Sequence, residues 1–312
     1  MFFSTLKKYI IYIHMLPLFL CLFSHFFKTF NFQSNFACTV NEFILEGISD
    51  CHPLFTCKDV NQMKPIKLLA SGIVKNIWLV EWQSQNIVMS KLRDQYFAED
   101  FNANLDNMQF FKASNYVTNW LGNCGNAIFT QYYPHGNALN LHLLYDSYKI
   151  TSFKNRFHLC VNYAQIISLL HNHSMVMCDS NSVAKTLTQF LITNQFEIIL
   201  NDMDALPRLD KFKLATKCGH HQIIGDLVAP EQQWPYQDKY YNHSLMPFYN
   251  EKVDIWKLPD ICQWILGDVF VPEMALKMLH FIHRKCKLID HTHRPSANEI
   301  VRFYNLIINY FV

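Results

Sequence analysis

The sequence predicts an α+β fold of two lobes, β-rich ahead of a break at Pro134-His135-Gly136 and helical beyond it. Three observations predict this. Residues 66–92 hold short β-rich runs separated by turn residues, and apolar side chains recur every three to four positions at Phe153, Phe157, Val161, Ala164 and Ile167. The composition, 50% hydrophobic over 312 residues, is enough to bury one sizeable core or two fused lobes. The formal net charge of +2 and the lack of a long basic run argue against a nucleic-acid surface.

In chain order, residues 10–27 form an apolar run broken only by His14, Pro17, Ser24 and His25, close to the ~20 residues that span a bilayer. Lys7 and Lys8 precede it and Lys28 follows alone, so the positive-inside bias puts the N-terminus in the cytosol and the rest in the lumen. No small-residue cleavage pattern follows the run, which reads as an uncleaved signal anchor rather than a signal peptide. The expected organisation is a tail at 1–8, a transmembrane anchor at 9–28, a lumenal stem at 29–61 and one domain at 62–312, with lobes at about 62–133 and 134–312.

Lumenal placement gives meaning to two glycosylation sequons, Asn172-His173-Ser174 and Asn242-His243-Ser244, of which Asn242 lies in the more polar loop. Of ten cysteines, Cys38, Cys51 and Cys57 bunch together as pairing cysteines do. Cys51 with Cys57 is an easy pair, and Cys38 has several candidate partners, including Cys124 and Cys218. Cys160, Cys178 and Cys262 read as buried thiols.

Within the domain, 66–69, 73–82 and 87–92 read as an antiparallel meander turned at Gly72 and at 83–86. Phe101, Leu105, Met108 and Phe111 predict a helix over 99–112. Strands are expected at 116–121 and 127–132, and a helix from Phe153 ends near 171–174. A β-rich half, a hinge-like break and a helical half follow the order of a bilobal protein kinase.

The residues that carry chemistry fall in that order too. Val176-Met177-Cys178-Asp179 stands where a kinase catalytic loop would, and Asn201-Asp202-Met203-Asp204 where the metal loop would. Phosphoryl transfer needs one carboxylate to accept the attacking hydroxyl's proton and another to hold a cation against the phosphates, which suits Asp179 and Asp202 respectively. Taken alone, each aspartate would more often be a turn or cap residue. Downstream, Gly225-Asp226-Leu227-Val228-Ala229-Pro230-Glu231 contains the Ala-Pro-Glu that closes an activation segment. Val253-Asp254-Ile255-Trp256 matches the start of the large lobe's central helix, and His293-Arg294-Pro295 supplies an arginine to pair with Glu231 as a fold support.

The strings Val176-Met177-Cys178-Asp179-Ser180-Asn181, Asn201-Asp202-Met203-Asp204-Ala205-Leu206-Pro207 and Tyr249-Asn250-Glu251-Lys252-Val253-Asp254-Ile255-Trp256-Lys257 depart from ordinary kinases together. In this the chain resembles the protein O-mannose kinase family over about residues 64–305. The resemblance implies a single-pass type II protein of the endoplasmic reticulum that uses ATP and Mg2+. It implies phosphorylation of the 6-hydroxyl of mannose in an O-linked trisaccharide on a dystroglycan-like glycoprotein.

The usual nucleotide lysine of the third strand is replaced by Ser90. The resemblance implies that Lys75, just past Gly72 on the second strand, does its work. Lys91 should face away, because neighbouring side chains on a strand take opposite faces. The glycine loop is reduced to Leu69-Ala70-Ser71-Gly72, with Ala70 where the family has its first glycine, leaving Gly72 as the candidate nucleotide contact. The second cation ligand is absent at its usual offset, which is Ala184, and Gln189 is the candidate replacement. Glu99 and Asp106 are both candidates for the helix acid that anchors Lys75. The competing readings are an inactive kinase-fold scaffold that binds glycan or protein, and a kinase of proteins.

Overall fold

The computed structural model describes residues 38, 39, 41–45, 48 and 50–311. They fall into two compact units divided between Pro53 and Leu54. The apolar run at 10–27 lies outside the described residues. Among the described residues, no helix is long and apolar enough to cross a membrane.

The first unit contains the antiparallel pair β1 (Glu42–Phe43) and β2 (His52–Pro53), linked by a Cys38–Cys51 disulfide. The easy Cys51–Cys57 pair therefore does not form.

The second unit is α+β, with a β-sheet lobe and a helical lobe, the arrangement of a kinase-like fold. It opens at Leu54, and Phe55 is part of its core. Phe55 lies edge-on to Trp82 and Phe129, and its amide donates to Leu121 O at 2.7 Å. Gly122, at φ +139°, lets that segment in: a Cβ there would sit 2.3 Å from Phe55 O. A Cys57–Cys124 disulfide closes the same contact.

The sheet comprises β3 (Lys64–Ser71), β4 (Lys75–Trp82), β5 (Gln85–Leu92), β6 (Trp120–Cys124) and β7 (Ala127–Gln131), ordered β3-β4-β5-β7-β6 with antiparallel neighbours. Gln83 and Ser84, at φ 47° and 62°, join β4 to β5 in a two-residue turn with both residues left-handed, the twist that a hairpin favours. β3 is an exposed edge strand with two register shifts, so its apolar Ile66 and Leu68 stay at the surface. α1 (Ala98–Phe110) buries Phe101 and Met108, close to the helix expected at 99–112.

The strand expected at 116–121 begins instead at Trp120. Residues 116–118 pair with the other lobe: Leu200 N donates to Tyr116 O at 2.9 Å and Thr118 N to Leu200 O at 2.8 Å. Alternation of apolar residues gave no means of telling which partner strand would take them.

The helical lobe is built from the short α2 (Leu141–Leu144), α3 (Phe153–Asn172), α4 (Val183–Thr188), α5 (Lys252–Leu266), α6 (Glu273–Cys286) and α7 (Ala297–Phe311), with a hairpin of β8 (Phe190–Ile192) and β9 (Ile198–Leu200). Ser152 caps α3, its Oγ accepting from Asn155 N at 3.2 Å. Most of the helix is buried, packed against α5 and α7. Cys160 and Cys262, read as thiols, form a disulfide between α3 and α5 with their Cα atoms 5.0 Å apart. Cys178 pairs with Cys218, again contrary to the expectation of a thiol. These partners lie 102 and 40 residues apart, so only helix packing and the return of the activation segment bring them within bonding range.

α6 and α7 meet at His283, whose Nε2 lies 2.6 Å from Tyr304 Oη. Burial, with repulsion from Lys287 and His280, pushes this imidazole down to about 4. The unfolded chain takes up the proton near pH ~6.5. Below that pH the unfolded state binds more protons than the native one, so stability falls as pH falls and levels out near the native value. Urea unfolding from pH 7 to 4 should show a loss of about 3 kcal/mol traceable to His283. His283→Gln should flatten that slope; an unchanged slope would assign the loss elsewhere.

Candidate active site

The loop carrying Asp179, the candidate catalytic loop, is positioned by α5. Asp254 Oδ2 accepts from Met177 N at 3.0 Å and lies 3.2 Å from His171 Nε2, while Oδ1 faces Lys257 Nζ at 3.3 Å. Lys257, buried to 1% exposure, also donates to Met177 O at 3.1 Å and Ser180 Oγ at 2.6 Å. Against full burial, Lys257 and His171 hold the Asp254 carboxyl below the usual carboxylate range. These contacts hold the Met177 backbone ahead of Asp179 and the Ser180 hydroxyl just after it. The Cys178–Cys218 disulfide ties the preceding residue to the activation segment.

That segment closes as its motif predicts. Arg294 donates from Nη1 to Glu231 Oε1 at 2.6 Å and from Nη2 to Oε2 at 2.9 Å, a bidentate pair. Gly225 is required by the catalytic loop itself: a Cβ there would lie 2.1 Å from Asn181 O. The approach is held by Leu227 N on Asn181 O at 3.0 Å and by Asn181 Nδ2 on Ile224 O at 2.6 Å.

The Asn201-Asp202-Met203-Asp204 loop, the candidate metal loop, leaves β9. Amides of Asn201 and Asp202 both donate to Gln189 O, at 2.9 and 3.1 Å, so Gln189 stands beside Asp202. Its Nε2 donates to Lys185 O, while its buried Oε1 has no hydrogen-bond partner among the described residues. Lys75 Nζ reaches Asp202 Oδ1 at 2.7 Å. Lys75 and Asp202 thus meet directly, and neither candidate helix acid is the partner of this lysine: Glu99 and Asp106 are both exposed on α1. The helix grips the loop with carboxamides instead, Asn104 Oδ1 accepting from Met203 N at 2.9 Å and Asn107 Nδ2 donating to Met203 O at 2.8 Å.

Register sets Lys75 on the same side of the sheet as Ser90, the third-strand position. Ile77 pairs with Ser90 and Lys75 with Leu92, so Lys75 and Ser90 share a face of the sheet. Lys91, opposite Asn76, takes the other face and is exposed. Gly72 stands at the turn before β4, its amide donating to Lys75 O at 2.9 Å and its carbonyl accepting from Arg93 Nη1 at 3.0 Å.

The site is crowded with carboxylates. Burial, then the Asp202 charge, push the Asp204 carboxyl up to about 7, Lys75 pulling the other way and Asp179 and Asp100 adding to the rise. Asp179 is paired with Lys185 at 2.6 Å. Burial opposes the charge on Lys185, but the hydrogen bond and charge of Asp179, with Asp202 and Asp204 behind it, raise it above the usual lysine value. Among the described residues no group of three or more His, Cys, Asp or Glu side chains is gathered closely enough to hold a metal ion; the oxygens available to a hard cation are those of Asp202 and Asp204 and the unpartnered buried Oε1 of Gln189. A separate cavity of about 820 Å³, lined by residues including Tyr116, His158, Asn162 and Phe196, contains none of these acids.

No family model matches the chain. Protein O-mannose kinase of Macaca fascicularis is 35% identical over 283 residues, 87% of this chain and 81% of the relative. The Homo sapiens protein of that name gives the same identity and shares, and the Gallus gallus one 36% over 288 residues, 88% and 81%. The chain belongs to the protein O-mannose kinase family. In this member of the O-mannose kinase family, Asp204, Lys185, Asn104 and Asn107 stand at the site without having been singled out from the sequence. Asp204 was legible as the second acid of Asn201-Asp202-Met203-Asp204. Lys185 follows the vacant Ala184 position by one residue, whereas nothing local marks the two asparagines.

Proposed function

We propose that this chain transfers the γ-phosphoryl group of ATP to the 6-hydroxyl of an O-linked mannose, within a protein-bound trisaccharide of the dystroglycan type. The observation that carries this reading is the Lys75–Asp202 contact, which joins a sheet-lobe cation to the metal loop across 127 residues of sequence. Family membership supplies the substrate class. No observation favours the inactive scaffold.

In this reading Asp179 accepts the hydrogen bond of the mannose hydroxyl and takes its proton as the new O–P bond forms and the bond to ADP breaks. Lys75 donates to phosphate oxygens and offsets their charge, and Gly72 lets the backbone turn close to them. Asp202 and Gln189, with Asp204 nearby, are the oxygen donors that would hold Mg2+. That ion, when bound, supplies positive charge shared between phosphate oxygens.

We further propose that residues 1–8 form a cytosolic tail, 9–28 a signal anchor of the endoplasmic reticulum membrane and 29–61 a lumenal stem ahead of the kinase unit. Disulfides in both compact units support an oxidising compartment. The sequon residues Asn172 and Asn242 are both exposed, as glycan acceptors must be.

A thermal-shift titration tests nucleotide use. At a hundredfold excess over Kd, ATP with Mg2+ should stabilise the native state by about 2.7 kcal/mol. Lys75→Met should lose most of that shift. Transfer of phosphate to the mannose trisaccharide, compared with a peptide, then tests the acceptor; no transfer to the trisaccharide would sink the reading.

A further inference from the structure

We propose that Lys185 is a positioning residue for the transfer reaction, holding Asp179 through Oδ2 and so presenting Oδ1 to the acceptor hydroxyl. This rests on the kinase reading above, and deepens it.

The geometry points to Lys185 in three ways. Its Nζ lies 2.6 Å from Asp179 Oδ2, and among the described residues Asp179 has no other ion-pair partner. Its backbone is fixed at both ends: the amide donates to Ser182 Oγ, the N-cap of α4, at 3.2 Å, and the carbonyl accepts from Gln189 Nε2 at 3.0 Å. The flexible stem therefore starts from a pinned Cα, which lowers the entropy lost in holding one carboxylate orientation. Finally, Gln189 O receives the Asn201 and Asp202 amides. Asp179, Lys185, Gln189 and Asp202 are thus strung on one sequence of contacts, the proposed base at one end and the proposed cation ligand at the other.

The pair is open to water on one side, with side-chain exposures of 44% for Lys185 and 37% for Asp179. An ion pair so exposed adds little to stability. Its consequence is orientation. A carboxylate free to rotate about χ2 would present either oxygen in several directions, whereas one oxygen engaged by a fixed cation leaves the other aimed. Misplacing a reacting group by about 1 Å costs on the order of 10²-fold in rate. Lys185 also places a positive charge among Asp179, Asp202 and Asp204, relieving repulsion that would otherwise spread them.

Steady-state kinetics with ATP, Mg2+ and the mannose trisaccharide test this in the full chain. Lys185→Met is expected to lower kcat about 10²-fold, with KM for ATP and the thermal shift by ATP little changed. Lys185→Arg should recover a good part of kcat. In an Asp179→Asn background, Lys185→Met should cost little more, because its effect passes through the aspartate. An active wild type with kcat unimpaired by Lys185→Met would overturn the proposal while leaving the kinase reading intact. So would additive losses in the double variant, or a raised KM for ATP at constant kcat, which would make Lys185 a nucleotide contact. A wild type inactive on every acceptor would overturn both.

Discussion

Asp179→Asn is expected to lower kcat for transfer to the mannose trisaccharide by about 10²–10⁴-fold while leaving fold and ATP-dependent thermal shift intact. The isosteric amide fills the same space, so the buried network around Met177 and Ser180 has no reason to move. What is lost is the proton acceptor for the attacking oxygen and the charge that engages Lys185. Asp202→Asn should instead weaken the cation-dependent part of nucleotide binding, since the Asp202 carboxylate meets Lys75, while its backbone amide, which the change leaves alone, donates to Gln189 O. Kinetics and thermal shift on the two variants separate the roles. Undiminished turnover in Asp179→Asn would remove it as the base.

Lys257→Met should destabilise the protein by about 3–5 kcal/mol, the largest effect expected from a residue that touches no substrate. Lys257 and Asp254 are both at about 1% exposure, and each satisfies the other together with the catalytic-loop backbone. Removing the cation leaves Asp254 buried against His171 and Met177 N, with a charge that the native state can no longer balance well. The loss should appear in the denaturant midpoint with the slope unchanged. Adding Asp254→Asn to Lys257→Met should cost less than the sum of the single losses, because the second change removes the charge that the first stranded. Strict additivity would show that the pair does not act as a unit. Activity should fall as well, because Lys257 bonds to Met177 O and Ser180 Oγ on either side of Asp179.

Much of the fold was legible because its signals are local. The β4–β5 hairpin follows from two β-rich runs about a short polar turn, and α3 from apolar side chains recurring every three to four positions. The Glu231–Arg294 pair was legible from Ala-Pro-Glu and His-Arg-Pro taken together. Lys75 was legible because Ser90 vacates the usual position, and strand alternation already turned Lys91 to the other face.

Other features depended on contacts between distant segments. A helix acid was expected to anchor Lys75, but α1 presents Asn104 and Asn107 to the metal loop and leaves Glu99 and Asp106 in solvent. Cys160, Cys178 and Cys262 read as buried thiols, yet their partners lie 102 and 40 residues away along the chain. Residues 116–118 read as part of a sheet strand, yet they join the lobes by bonding to β9.

By itself, then, the amino-acid order determined the two-lobed α+β architecture and the family whose strings it shares, and marked Asp179 and Asp202 as candidate acids, all properties of spacing and local chemistry. Only tertiary structure decided that Lys75 pairs with Asp202, that Cys160 finds Cys262 and that Lys185 reaches Asp179. The reason is physical: each partner is chosen by how whole helices and strands pack, and a side chain's reach of a few ångströms says nothing about which distant segment that packing will bring within it.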